Sequence, residues 1–521
     1  MKYITNKSKL LFLLLSVFSI PSLFAQEKGL DQQIDEAFKP FSDAISNIIF
    51  FQILGVPFVL ILLVGSALFF TIYFGFVNIR RFPTAINVVC GKYDELDESH
   101  GGKDSGESEE GEVTHFQALA TAVSGTVGNG NIAGVALAIA LGGPGATFWM
   151  VICGLLGMSS KFVECTLGVQ YRDVGEDGTI YGGPMYYISK GLKERGFTML
   201  GKVAAVFFAI FCIGGSFGGG NAAQSNQATI VLKDLMNLES SAAGFWIGIV
   251  LAILVGIIII GGIKRIAQVT EKVVPFMAVM YVFACLYIIL INFSLIDDAF
   301  ALIFAEAFNP TAIGVGSFIG VLLVGFKRAA FSNEAGAGSA SIAHSAVKTK
   351  YSASEGLVAL LEPFIDTVVI CTMTALVIVI FNFGGAFQYG GEGAVMIDGI
   401  SYEGAGITSK AFAQYIPFSD VFLTIAVVLF AVSTMISWSY YGLQSWKYLF
   451  GRGKAADLAY KLLFLTFVII GASASMNSIW AFSDAMIFAM VFPNMVGLFF
   501  LFPVVKKELN RYLKAIRTIE S

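Results

Sequence analysis

The residues of this chain best suited to bind a solute lie in a run of small and polar residues within a long apolar stretch. Residues 116–160 contain no charged residue and are long enough to cross a bilayer twice, yet they include Ser124-Gly-Thr-Val-Gly-Asn-Gly-Asn-Ile132. Glycine and asparagine disfavour a helix interior, and irregular backbone at membrane depth is tolerated only inside protein or beside a cavity. The run therefore predicts a membrane-spanning helix that is broken near its middle.

A broken helix presents backbone groups that can hold the charged ends of a zwitterion such as an amino acid. Its exposed N–H groups, together with the positive end of the outer half-helix, suit a carboxylate. The residues expected to make this contact are Gly125, Thr126, Gly128, Gly130 and Asn131.

The ammonium group of such a solute needs acceptors, because a bare charge is costly to bury. Carbonyls released by a second break near Gly316, or the side-chain oxygen of Gln224, can supply them. An interhelical hydrogen bond is the alternative role for Gln224. Phe318 and Trp438 are expected to form an apolar wall that limits the size of the solute, with ordinary packing as the alternative.

A second group of residues has the spacing of a monovalent cation site. Phe430, Ser433 and Thr434 are three and four residues apart, so they share one face of a helix. Their carbonyl and hydroxyl oxygens, with the carbonyls of Ser124 and Val127, would make five neutral oxygen ligands. Hydroxyls that bond back to the helix backbone are the alternative.

Several ionisable residues fall within apolar segments, where a functional role is the first expectation. Lys161 and Glu164 are three residues apart and can pair, and Asp366 follows Glu362 by four residues beside Pro363. Arg328 and Glu334 flank the inner end of the second interrupted helix. We interpret these groups as an inner gate or as helix-positioning residues, and a proton relay is the sharper alternative.

The composition is that of a helical membrane protein. The chain has 521 residues, of which 56% are hydrophobic and only 13% are charged, against about 25% in soluble proteins. The net charge of −4 argues against nucleic acid as a partner. The six cysteines contain no CxxC pair and the three histidines have no ligand at metal spacing, so we expect no cofactor and no zinc. No nucleophile–base constellation indicates an enzyme, and nothing indicates an obligate protein partner.

Apolar segments and basic loops define the expected topology. Residues 1–25 resemble a signal peptide, with an uncleaved span as the alternative. Basic residues cluster at alternate connections, which places the N-terminus outside and the C-terminus in the cytoplasm, in a multi-pass protein of the cell's inner membrane. The eleven expected spans are 52–76, 116–141, 146–170, 202–230, 242–262, 274–293, 311–331, 355–383, 420–446, 457–475 and 479–503.

The last ten spans fall into two groups of five that start from opposite sides of the membrane. We divide the chain into an N-terminal segment with an extra span and an acidic loop (26–115), a first repeat (116–293), a second, inverted repeat (311–503) and a tail (504–521). The first helix of each repeat is rich in glycine, and paired interrupted helices are typical of secondary transporters. In the second repeat these glycines are Gly314, Gly316, Gly320 and Gly325, for which close helix packing is the alternative role.

Six motifs together resemble the alanine or glycine:cation symporter family. They are Ser124-Gly-Thr-Val-Gly-Asn-Gly-Asn-Ile132, Lys161-Phe-Val-Glu164, Tyr181-Gly-Gly-Pro-Met-Tyr-Tyr187, Phe331-Ser-Asn-Glu-Ala-Gly-Ala-Gly-Ser-Ala340, Pro363-Phe-Ile-Asp366 with Cys371-Thr-Met-Thr-Ala375, and Ser437-Trp-Ser-Tyr-Tyr-Gly442. The resemblance runs from about Phe51 to Leu501.

The resemblance implies an all-α polytopic membrane protein with about eleven transmembrane helices and the leucine-transporter fold of two inverted five-helix repeats. It also implies import of alanine or glycine coupled to Na+, and it identifies the five-oxygen group with the second sodium site of that fold. Two rivals remain at this stage. One is proton coupling, with Asp366 or Glu164 as the carrier, and the other is an ion channel.

Overall fold

The computed structural model describes residues 29–98, 111–176, 178–260, 262–310, 318–391 and 393–520. The predicted signal peptide and most of the acidic loop lie outside the described residues. Within the described ranges the chain is predominantly helical, as the apolar composition predicts.

Twenty helices follow one another along the described ranges. They are α1 Leu30–Ile49, α2 Phe58–Tyr73, α3 Val77–Arg80, α4 Phe82–Val89, α5 Glu95–Glu98, α6 His115–Thr126, α7 Gly130–Gly142, α8 Gly145–Gln170, α9 Pro184–Glu194, α10 Thr198–Met236, α11 Ala243–Ile259, α12 Gly262–Ile291, α13 Ile296–Phe308, α14 Phe318–Asn333, α15 Ser341–His344, α16 Ser352–Asn382, α17 Ala405–Ala413, α18 Ser419–Phe450, α19 Lys454–Ser473 and α20 Met476–Glu520. A single 3₁₀ turn, Phe293–Leu295, precedes α13.

In the part of the chain that the structure describes, strands are confined to three short antiparallel hairpins between helices. β1 (Gln52–Ile53) pairs with β2 (Val56–Pro57), β3 (Asp173–Val174) with β4 (Ile180–Tyr181), and β5 (Ala394–Ile397) with β6 (Ile400–Glu403). None of these hairpins is long enough to form a layer of its own, so the helices alone make the core.

The helices agree with the predicted spans in place, and the protein is a multi-pass helical membrane protein. Among the described residues, seven helices are long and apolar enough to cross a membrane, and the bent pair α6–α7 makes an eighth. Two shorter apolar helices, α2 and α11, have 16 and 17 residues. The seventh predicted span is represented by α14, and residues 311–317 before it lie outside the described residues. The count of eleven therefore stays a prediction.

The first predicted break is present at the glycine–asparagine run. Thr114 and Gln117 form a capping box that begins α6, and α6 ends at Thr126. The axes of α6 and α7 differ by 50° across the intervening residues. The first turn of α7, Gly130–Gly134, is a π-helix, which is a frequent feature of functional segments.

A break follows the end of α14. Helix α14 runs without interruption through Gly320 and Gly325 and ends at Asn333. The backbone then takes positive φ at Glu334 (55°), Gly336 (92°) and Gly338 (91°), before α15 begins. Gly316, near which the second break was predicted, lies outside the described residues together with Gly314, so a break at that position stays a prediction.

Close packing is the role that the structure supports for Gly325. A Cβ atom at this position would lie 2.7 Å from Cβ of Trp149 and would also meet the carbonyl of Ala146 on α8. Small residues that allow such contacts are the usual means of helix association in a membrane. Gly325 is therefore explained by packing, a role that sequence spacing could not separate from a break.

Helix α8 is the centre of the helical packing. It contacts α2, α13, α14 and α16, and glycines on its surface let the neighbours approach. A Cβ at Gly154 would lie 2.9 Å from Cβ of Thr367, and one at Gly157 would lie 2.7 Å from Cβ of Ala335. From the opposite side, Gly356 of α16 faces the Thr166 hydroxyl and lies close to the carbonyl of Phe162.

We predict that Gly356→Ala destabilises the protein. The added methyl would meet the Thr166 side chain and come within 2.8 Å of the Phe162 carbonyl, a backbone atom that cannot move aside cheaply. Overpacking of this kind costs about 1–3 kcal/mol. The measurement is the melting temperature of the detergent-solubilised protein. Gly384→Ala is the matched control, because a Cβ there meets nothing within 4 Å, and an equal loss in both variants would contradict this prediction.

Candidate functional site

Asn131 forms hydrogen bonds to Gly128 within the first break and to Asp366 of α16. The Gly128 N–H donates to Asn131 Oδ1 at 2.9 Å. The Asn131 amide in turn donates to Asp366 Oδ1 at 2.7 Å and to the Asp366 carbonyl at 3.0 Å. Asn131 is fully buried, so these bonds satisfy groups that water cannot reach. Its amide and its carbonyl oxygen are thus engaged within the protein.

Gln224 forms a second bridge to the break from α10. The Asn129 N–H donates to Gln224 Oε1 at 2.9 Å, and the Asn129 side chain donates to the Gln224 carbonyl at 3.2 Å. Gln224 Nε2 donates to the carbonyl of Gly219 at 2.8 Å. Its side-chain oxygen therefore takes part in the interhelical hydrogen bond that the sequence left as an alternative.

Asp366 joins the two broken helices, a contact that fits a helix-positioning residue. Its carboxylate accepts from Asn131, from the Ser332 hydroxyl at 3.1 Å and from the Thr367 hydroxyl at 2.6 Å. Ser332 belongs to the last turn of α14, beside the second break. All three donors are neutral, and no described Lys, Arg or His lies within ion-pair distance of this buried carboxylate.

The glycines of the first break are where neighbouring polar side chains approach the backbone. A Cβ at Gly125 would lie 3.0 Å from the Tyr441 hydroxyl, and one at Gly130 would lie 3.3 Å from the Ser332 hydroxyl. At Gly128 a Cβ would collide with the Thr434 hydroxyl and lie 3.1 Å from Gln224 Oε1. Larger residues at these positions would fill the space that the polar groups share.

Thr126 lies immediately before the break, at the C-terminal end of α6. Its hydroxyl bonds back to the carbonyls of Ala122 and Val123, at 3.3 and 3.4 Å. Helix α6 ends at this residue.

Four of the five residues predicted to bind a cation are brought together between α6 and α18. The Thr434 hydroxyl donates to the Ser124 carbonyl at 3.0 Å, and the Ser124 hydroxyl donates to the Ser433 carbonyl at 2.8 Å. The Ser433 hydroxyl bonds back to the Phe430 carbonyl at 3.0 Å, as the alternative reading expected. Val127, the fifth residue, caps the C-terminal end of α6.

Trp438 lies at the site, whereas Phe318 does not. Trp438 is fully buried and its indole N–H donates to Glu334 Oε1 at 2.9 Å. Its ring centroid is 5.3 Å from that of Tyr441. Phe318 is 41% exposed at the beginning of α14, and its ring lies 6.2 Å from that of Trp149. Phe318 is therefore removed from the candidate site.

The predicted ion pair between Lys161 and Glu164 is replaced by contacts to other helices. Lys161 Nζ lies 2.9 Å from Glu362 Oε1 on α16. Glu164 Oε1 accepts from the Asn494 amide of α20 at 2.8 Å. Spacing along one helix identified the residues but not their partners, because the partners lie about 200 and 330 residues later in the chain.

Arg328 and Glu334 lie on different parts of the second broken helix. Arg328 is on α14, before the break, where it forms an ion pair with Asp484 of α20 and lies 5.1 Å from the ring of Trp480. Glu334 is the first residue of the break itself and accepts hydrogen bonds from Ser339 and Trp438. The two residues therefore lie on either side of Asn333, the last residue of α14.

The half-helices α6 and α15 are joined by backbone pairing that the sequence did not reveal. Val113, two residues before α6, forms a parallel bridge with Val347, which follows α15. The Lys348 N–H donates to the Val113 carbonyl at 2.8 Å, and Arg172 donates to the Val347 carbonyl. The entry of one broken helix is thus bonded to the exit of the other.

We predict that Asn131→Ala lowers the melting temperature and that its effect is coupled to Asp366. Truncation leaves the Gly128 N–H and an Asp366 oxygen with fewer partners, and each buried unpaired group costs about 1–3 kcal/mol. Combining Asn131→Ala with Asp366→Ala should cost less than the sum of the single variants. Additive losses in a double-mutant cycle, read from melting temperatures, would argue against the bridge.

Known transporters are similar to this chain over most of its length. The model of the sodium:alanine symporter family matches residues 39–521. The sodium/alanine symporter AgcS of Methanococcus maripaludis is 40% identical over 88% of this chain and 94% of its own length. The amino-acid carrier protein AlsT of Bacillus subtilis is 33% identical, over 87% and 89%. The probable sodium/glutamine symporter GlnT of Bacillus subtilis is 31% identical, over 87% of each chain.

A solved structure agrees with the fold implied by the motifs. The crystal structure of MhsT in complex with L-phenylalanine has a TM-score of 0.51 at 14% identity, and the match covers 77% of this chain and 100% of that one. At this identity the likeness establishes the fold alone. The all-α, leucine-transporter-like fold and the transporter class, as opposed to an enzyme, are confirmed.

Proposed function

This chain belongs to the sodium:alanine symporter family, and we propose that it imports a small neutral amino acid, alanine or glycine, together with Na+ by alternating access. The observation that carries the proposal is the meeting of two broken helices inside the protein. Asp366 accepts hydrogen bonds from Asn131 beside the first break and from Ser332 beside the second. Two breaks side by side bring unwound backbone from both repeats to one place, which is how a midplane site is built.

We propose that the amino acid binds beside the first break, with Tyr441 and Trp438 as its neighbours. The Tyr441 hydroxyl is buried, has no hydrogen-bond partner among the described residues and faces Gly125. A buried hydroxyl without a partner is costly, so a carboxylate that accepts from it would gain affinity. The ring of Trp438 limits the space for the side chain, and this favours a small substrate such as alanine.

We propose the sodium site at the carbonyls of Ser124, Val127 and Phe430 and the hydroxyls of Ser433 and Thr434. Two hydrogen bonds support this assignment, because each joins two of the proposed ligand oxygens. The Thr434 hydroxyl donates to the Ser124 carbonyl, and the Ser433 hydroxyl donates to the Phe430 carbonyl. Na+ would tie α6 to α18 and so steady the first broken helix. The protein would lie in the inner membrane, with its C-terminus in the cytoplasm.

Gating follows from the contacts on either side of the breaks. The Arg328–Asp484 ion pair would close the outer side and the pairing of Val113 with Val347 the inner side. The helices that lie between these two gates would be held in place by Lys161, Glu164 and Glu334. A rocking movement that breaks one set of contacts while the other stays formed would expose the substrate to each side in turn.

Counterflow of labelled alanine in proteoliposomes tests the proposed function. Uptake should saturate with alanine and require Na+, and it should fail when K+ or choline replaces Na+ at fixed pH. Uptake that follows a proton gradient without Na+ would favour proton coupling, for which Asp366 is the leading carrier because its hydrogen-bond donors are all neutral. Conductance without saturation would indicate a channel.

We predict that Thr434→Ala raises the Na+ concentration needed for half-maximal uptake by about tenfold, equivalent to ~1.4 kcal/mol. The variant removes one proposed ligand and leaves the carbonyls in place. Thr466→Ala is the control, because this hydroxyl bonds only to the Leu462 carbonyl on an exposed face. An unchanged Na+ dependence in the folded Thr434→Ala protein would remove Thr434 from the ion site.

We predict that Tyr441→Phe raises the KM for alanine by about tenfold with little change in Na+ dependence, since one charge-assisted hydrogen bond is worth about 1.5–3 kcal/mol. The ring and its packing stay, so only the proposed substrate contact is lost. The control is Tyr415→Phe, a partly exposed tyrosine in the loop after α17. A normal KM in Tyr441→Phe would rule out the proposed contact.

A further inference from the structure

Five ionisable side chains form a continuous buried line through the inner half of the protein. Glu355 accepts from His115 on one oxygen and lies 2.5 Å from His344 Nδ1 with the other. His344 Nε2 lies 3.6 Å from Glu362 Oε2, and Glu362 Oε1 lies 2.9 Å from Lys161 Nζ. His115 is 8% exposed and the other four are fully buried. None of the roles proposed above uses the two histidines or Glu355.

The position of His344 between two carboxylates points to a protonated ring. Each of its ring nitrogens faces a different carboxylate, Nδ1 that of Glu355 and Nε2 that of Glu362. A neutral imidazole has one N–H and one lone pair, so one carboxylate would then face a lone pair. Only the imidazolium presents an N–H to both.

The charge around this line also requires bound protons. Four carboxylates lie in or beside it, Glu355 and Glu362 on α16, Glu164 on α8 and Glu334 at the second break. The other ionisable groups that face it are Lys161 and Cys165 on α8, His115 on α6, Tyr187 on α9 and Tyr441 on α18. Lys161 alone cannot balance these carboxylates, and an unbalanced buried charge is expensive.

The line connects the parts of the molecule that must separate if the inner side opens. His115 is the first residue of α6 and His344 is the last residue of α15, and Glu355 binds both. The parallel bridge between Val113 and Val347 lies within three residues of each histidine. One carboxylate of α16 thus holds both inner half-helices.

We propose that His344, with Glu355 and Glu362, is a proton-binding site that holds the inner side closed, with His115 as the connection to the cytoplasm. The bound proton sits on the imidazole, and its charge ties α15 to α16. When α6 moves away, cytoplasmic water reaches the line, the proton passes to that water and the closed contacts lose an ion pair. This inference rests on the alternating access proposed above.

The test is alanine exchange in proteoliposomes at saturating Na+ on both sides, with equal pH inside and outside. The wild-type rate should be at least fivefold lower at pH 6 than at pH 9, because the protonated site keeps the inner side closed. In His344→Gln and Glu355→Gln this difference should fall below twofold. Glu271→Gln is the matched control, because Glu271 accepts from Gln117 of α6 at 2.8 Å without a histidine, and it should keep the wild-type profile.

A second readout does not depend on transport. A protonated His344 stabilises the folded protein, so the wild-type melting temperature should fall between pH 6 and pH 9 by more than that of His344→Gln. A folded His344→Gln protein with the wild-type exchange profile and the wild-type melting profile would overturn the proposal, as would a wild-type exchange rate that does not change with pH. If exchange is absent at every pH while the melting profiles differ, the transport function fails and the proton site stands.

Discussion

A peptide backbone that leaves its helix inside a bilayer must find other hydrogen-bond partners, and the rest of this structure follows from that need. Asn131 and Gln224 supply the partners at the first break, and each reaches the break from a different direction. Asp366 then connects that break to the second one through Ser332. The same bonds that make the interruption tolerable also fix where the two repeats meet.

Much of the fold could be predicted from the sequence because the physical signals are local. The length of the apolar segments predicted a helix at every expected span. The run Ser124–Ile132 predicted the first break, because glycine and asparagine together are poor helix formers. The prediction of a cation site uses the same kind of local signal, since Phe430, Ser433 and Thr434 lie on one helix face. A glycine-rich helix is less decisive, and Gly325 proved to serve packing.

The rest could not be predicted because it depends on contacts between distant parts of the chain. Glu355 is 240 residues from His115, and no spacing rule connects them. Lys161 had a carboxylate three residues away, yet Glu362 provides its ion pair. Phe318 was chosen by residue type, and the structure places it on an exposed face. Asn131 was correctly placed at the break, but its bonds engage the protein's own groups.

The parallel bridge between Val113 and Val347 ties the segment that enters the first broken helix to the segment that leaves the second. This backbone bridge makes α6 and α15 move as one unit, so neither half-helix can move away alone while the bridge stays formed. States in which only one of the two half-helices, α6 or α15, has moved would then be rare. Scarcity of such half-open forms is what keeps a carrier from leaking ions down their gradient between turnovers.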